Sequence, residues 1–165
     1  MSTPLEKSAD TSQGWISHYE RVRRWQDRAV RHAKGPLNVA NDEAVDFVLA
    51  YFLWAHSLRE WLVETGAAQK VVLDQLLSER AEWPMCRDLA NRSRHYQLKH
   101  SPTDENWLLA RRIDLNAMLA GSSEHQFWYV LHAGQYMEIP DCVNAIAQMW
   151  ENILDQLGLK RGGHD

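Results

Sequence analysis

Cysteine is scarce in this chain, with only Cys86 and Cys142 among 165 residues. There is no Cys-x-x-Cys pair and no Cys/His set at zinc spacing, which excludes a disulfide framework and a structural zinc module. Each cysteine falls inside a predicted helix, so both read as buried thiols in a reducing compartment, and the expected localisation is cytoplasmic. No apolar run approaches the roughly 18 residues that cross a bilayer, and no charged leader with an apolar core opens the sequence. No membrane association is therefore expected. The glycines form no phosphate-cradling loop and no Gly-x-Ser-x-Gly elbow, which argues against nucleotide hydrolases, dinucleotide enzymes and serine hydrolases. No cofactor and no metal are expected. A surplus of positive charge is also missing: the net charge is -4 and the pI about 6.0. A protein coated in nucleic acid would be basic overall, but a local basic patch remains compatible with this balance.

What is present describes a core-forming domain. The chain is 45% hydrophobic with 8 Trp, enough apolar surface for one packed unit. Residues 1–12 read as a disordered tail, 13–158 as a single helical domain and 159–165 as a loose tail. Apolar residues recur at helical spacing from about Gln13 to Lys34, where Gly35-Pro36 stops the run. They recur from Asn41 or Asp42 to Glu64, from about Ala68 to Glu79, and from Trp83 to Lys99. The last helix is expected over about Asp141–Leu157, opened by Pro140. Between these, Trp107–Leu115, Gln126–Leu131 and Gln135–Ile139 carry β-branched and aromatic residues separated by turn signals. The expected fold class is mainly α: a four- to five-helix bundle with a small antiparallel β-hairpin, about 107–139, inserted before the last helix.

Chemistry concentrates in Cys86-Arg-Asp-Leu-Ala-Asn-Arg-Ser-Arg-His-Tyr-Gln-Leu-Lys-His100. A solvated helix back favours Glu and Lys, whereas Arg, His, Asn and Asp bind phosphate and move protons. Asp88, Asn91 and His95 follow an i, i+3, i+7 spacing, which sets them on one flank within about 60°. His56 and Arg59 on the second helix lie at the rim of its apolar stripe and are placed to meet that flank if the helices are antiparallel neighbours. One reading of these five residues is a buried polar network that fixes helix register. Another is a metal site, although no paired Glu-x-x-His signature supports it. The first helix carries Arg21, Arg24, Arg28 and Arg31 on its outer side, either as a plain solvated face or as a surface that steers RNA. His125 and His132 flank the strand Gln126–Leu131, where strand ends are commonly wet, and no role is expected for them.

The segment Arg94-His95-Tyr96-Gln97-Leu98-Lys99-His100 resembles the Arg-x(4–6)-His motif of HEPN-domain proteins, α-helical bundles that are often metal-independent ribonucleases. The resemblance implies that Arg94 binds the scissile phosphate, His100 acts as general base or acid, and His95 is the accompanying polar residue. It also implies a homodimer with the site at its two-fold axis. Attack by a 2′-hydroxyl needs a group titrating near neutral pH, and histidine supplies one. The pattern Arg87-Asp88-x-x-Asn91-x-x-Arg94-His95, with Trp150-Glu151-x-x-Leu154, is also similar to a group of small uncharacterised bacterial and phage proteins. The expected function is an RNA-binding protein or metal-independent ribonuclease, in a toxin or defence system. RNA, a second copy of the chain, and an antitoxin or other protein are the expected partners. The alternative is a non-enzymatic helical protein–protein interaction module whose polar row is structural.

Overall fold

The computed structural model describes residues 14–35, 42–94 and 101–159, and the chain is mostly helical with a small antiparallel sheet. Helix α1 (Trp15–His32) packs along α2 (Asp42–Glu64), which in turn lies against α4 (Glu82–Arg94). The short α3 (Lys70–Ser78) and the long α6 (Ile139–Gln156) complete the helical core. Each stripe follows the 3.6-residue period: Val48, Tyr51, Phe52, Ala55, Leu58 and Leu62 are fully enclosed on α2. On α1, Trp15, Tyr19, Val22 and Ala29 face inward as the spacing predicts, joined by His18. On α3, Leu73 and Leu77 are buried in the core and Leu76 packs partly against it, while Val72 is 43% exposed. Gly66 has a positive φ of 72° just past α2, a conformation that costs glycine nothing and closes the helix.

The sheet is built around β3 (Gln126–His132). Strand β2 (Leu108–Ile113) pairs along one edge of β3 from Leu108 opposite Leu131 to Ile113 opposite Gln126. The other edge is shared by β4 (Gln135–Glu138), against Tyr129–His132, and by β1 (Lys34–Gly35), against Gln126 and Phe127. Gln126, Val130 and His132 point inward at the two-residue period of a strand, towards the helical layer. The three expected strand regions are present. Two elements are additions: β1 at the stop that follows α1, and α5 (Leu115–Leu119), capped by Asp114, which accepts the Ala117 N–H at 3.0 Å. The β3–β4 hairpin turns through Ala133 and Gly134, with φ of 49° and 74°. Two positive-φ residues make the tight turn that matches strand twist, and Ala133 is strained in it. Both cysteines are buried, and burial pushes the Cys86 thiol up and the Cys142 thiol up to about 12.

Candidate functional site

Asp88 is 1% exposed on the inner flank of α4. Its Oδ1 accepts the Thr103 N–H at 3.0 Å, and Oδ2 accepts Thr103 N–H at 2.9 Å and Asp104 N–H at 3.2 Å. His132 Nε2 lies 2.9 Å from the same Oδ2, so this nitrogen carries the proton when the carboxylate accepts. Arg87 Nε stands 3.9 Å from Oδ1, while its Nη2 donates to Thr103 Oγ1. Asp104 extends the cluster: Oδ2 accepts the strained Ala133 N–H at 2.8 Å, and Oδ1 accepts Asn106 N–H at 2.9 Å. These two backbone bonds hold the Asp104 carboxyl below its ordinary range. The result ties α4, the 101–106 loop and the β3–β4 turn into one knot. His132 is therefore no wet strand end, because the last inward position of β3 buries it against Asp88.

The expected meeting of His56 and Arg59 with Asp88 does not occur. Helix α2 is a neighbour of α4, but Arg59 turns to α3 and grips Asp74 in a two-pronged pair, Nε to Oδ1 at 2.6 Å and Nη2 to Oδ2 at 2.8 Å. The pair keeps the Asp74 carboxyl below its usual value. His56 stacks flat on Trp83, centroids 5.0 Å apart and planes at 8°, and Trp83 stands edge-on to the buried Trp150. Asn91 bonds Arg94, whose Nη2 donates to Asn91 Oδ1 at 2.7 Å, and not Asp88. Thus the expected five-residue row divides. Asp88 belongs to the knot, while His56, Arg59 and Asn91 line a cleft of about 640 Å³ between α2, α3 and α4, with Arg87 and Trp83. A second cleft, about 330 Å³, shares His56 and Arg59 and is bordered by Arg94, Lys70, Glu60 and Glu64. His95 and His100 lie outside the described residues.

The electrostatics of the cleft centre on His56. Burial lowers its pKa to about 4, and Arg94, Arg59 and Arg87 push in the same direction. The imidazole is neutral at pH 7, and its ring nitrogens have no hydrogen-bond partner among the described residues. Arg94 is exposed on the last turn of α4 and pairs with no carboxylate among the described residues. On α1, Arg24 and Arg31 are exposed, whereas Arg21 and Arg28 sit over Trp54 and Trp25, each 4.7 Å from the ring centroid. The α1 arginines line neither cleft that contains His56. Among the described residues, no three His, Cys, Asp or Glu side chains converge as a metal site would require.

Sequence reasoning missed His132, Thr103, Asp104 and Asp74. Asp74 follows Arg59 by 15 positions and sits on a different helix, and the bonds to Asp88 come largely from backbone N–H groups, which carry no residue-type signal. The turn signal of Gly134, two residues after His132, is the cue the sequence carries. No family model matches the chain, and comparison with curated proteins and with solved structures gives no match either.

Proposed function

We propose that the protein is a HEPN-like, metal-independent ribonuclease or RNA-binding protein, of the kind used in toxin or defence systems. Its scaffold would be a five-helix bundle of α1–α4 and α6, since the five-residue α5 buries none of its side chains. Arg94 holds the phosphate, His100 transfers the proton and His95 assists, with Arg21, Arg24, Arg28 and Arg31 as an RNA-steering face on a homodimer. The observation that carries this reading is Arg94: an exposed guanidinium oriented by Asn91, at the rim of a cleft that it shares with a neutral histidine and Arg59. A guanidinium fork suits the charge that develops on a phosphoryl oxygen. The test is incubation of the purified protein with single-stranded RNA in EDTA, beside Arg94→Ala and His100→Ala. Cleavage by the parent protein only supports the reading, and equal cleavage by all three removes these residues from the site.

A second reading has its own support. A non-enzymatic interaction module needs a structural polar row and an open apolar surface. Asp88 is fully enclosed and bonded, and Leu115 and Leu119 of α5 are 61% and 82% exposed. Under that reading Arg94→Ala and His100→Ala leave every RNA assay unchanged, while Leu119→Lys abolishes a protein–protein association.

A further inference from the structure

His56 is half-buried where two clefts meet, and its ring nitrogens have no hydrogen-bond partner among the described residues. Each of the three guanidiniums acting on His56 disfavours its protonation, and its stack on Trp83 fixes the ring in one plane. The three arginines differ in what else they bind. Arg59 is already neutralised by the two-pronged bond to Asp74. Arg87 makes a long ion pair with Asp88, Nε to Oδ1 at 3.9 Å, and donates to the Thr103 hydroxyl, while that carboxylate is also bonded by two backbone N–H groups and His132. Arg94 bonds a neutral amide oxygen. Two cations thus have hydrogen-bonding capacity in excess of what their neighbours use. An arginine carries five N–H donors in a planar fork that matches a phosphate edge.

We propose that the two adjoining clefts that share His56 bind a phosphate group where they meet, with Arg87 from one cleft and Arg94 from the other supplying charge and a ring nitrogen of His56 supplying a hydrogen bond. This rests on the reading of the α4 end as a phosphodiester site and names the chemistry the cleft recognises. The shared chemistry is a tetrahedral anion with at least two unesterified oxygens, from either an RNA backbone or free phosphate. The other charged groups bordering the site are Glu60 and Glu64 on α2, Lys70 on α3, and Asp74, which is bound by Arg59. An incoming anion meets Arg94 without displacing an ion pair, and meets Arg87 on the N–H donors that its long pair with Asp88 leaves open. Burial first, and the three arginines after it, keep His56 deprotonated; a bound anion offsets the arginines' share, so binding draws a proton onto the ring and strengthens as pH falls from 7 towards 5.

The experiment follows the ring nitrogens of ¹⁵N-labelled histidine in the full chain, with the His56 signal assigned by its loss in His56→Gln. Inorganic phosphate and a short single-stranded RNA without terminal phosphates are titrated separately at constant ionic strength. A saturable His56 shift, weakened at least ten-fold in both Arg87→Gln and Arg94→Gln and unchanged in Arg112→Gln, is the expected result. A response to phosphate alone marks a free-anion or monoester site, and a response to RNA marks a backbone site. The absence of a saturable shift with both ligands overturns the proposal, as does a shift that Arg112→Gln weakens equally. Thermal unfolding of each variant confirms that it is folded. A His56 response without RNA cleavage retains the cleft and removes the ribonuclease reading. Arg94-dependent cleavage with a silent His56 does the reverse.

Discussion

Asp88 on α4 and His56 on α2 are both polar groups at the edge of one core, yet they are supplied with partners very differently. Asp88 receives two backbone N–H groups of the 101–106 loop and the buried His132, and these fill most of what a carboxylate can accept. His56 receives a flat indole and no hydrogen-bond partner among the described residues. A saturated buried cluster rigidifies the structure around it, and here it joins a helix, a loop and a hairpin turn. An unsaturated group in a cleft is free to bind something else. The comparison separates scaffold from site along a single helix: Asp88 points to the knot, while Arg87, Asn91 and Arg94 border the clefts.

The largest expected effect comes from breaking the knot. Asp88→Ala leaves the buried His132 and two backbone N–H donors without their acceptor, and an unsatisfied buried polar group costs about 1–3 kcal/mol. Urea unfolding measures it; a loss below about 1 kcal/mol would mean that the knot is dispensable. Acid is the next lever. His18 is 1% exposed, and burial lowers its pKa to about 4, so it folds neutral while the unfolded chain takes a proton near the ordinary value of 6.5. Its contribution is complete above pH 6.5 and is lost as pH falls from 6.5 towards 4, up to about 3 kcal/mol. His18→Gln should flatten the stability profile across that window, and an unchanged profile would assign the acid sensitivity elsewhere.

Smaller effects sharpen the same contrast. Ala133→Gly relieves a left-handed alanine in the turn held by Asp104 and should raise stability by about 1 kcal/mol, read as a higher melting temperature. Arg59→Ala removes a half-exposed ion pair with Asp74 and should cost about 0.5–1 kcal/mol, less in high salt. Arg94→Ala should change stability by less than about 0.5 kcal/mol, because its only described bond is to the neighbouring Asn91 on the same helix.

Much of this fold is readable from periodicity. Val48, Phe52, Ala55, Leu58 and Leu62 repeat at helical spacing, and Pro140 and Gly66 mark where helices open and close. Strand β1 escaped because two residues carry no period, and its pairing to Gln126 lies some 90 positions downstream, about the same separation at which Tyr51 reaches Val143. Helix α5 escaped because five residues flanked by strands resemble an extension of β2. The site was legible as a collection of residue types on one flank of α4 but not as a set of bonds. Which residue each would bond depended on how the 101–106 loop and the β3–β4 turn fold back, and that is set by backbone geometry. The periodicity that placed Asp88 and Asn91 together was accurate to within a turn, and within one turn a side chain passes from the knot to the cleft.

The division of α4 is tested most directly by measuring RNA cleavage in EDTA and melting temperature on the same preparations of the parent chain, Arg94→Ala and Asp88→Asn. The account expects Arg94→Ala to melt like the parent but fail to cleave, and Asp88→Asn to melt lower while its surviving folded fraction still cleaves. Full cleavage by Arg94→Ala, or a folded Asp88→Asn that melts like the parent and does not cleave, would contradict it.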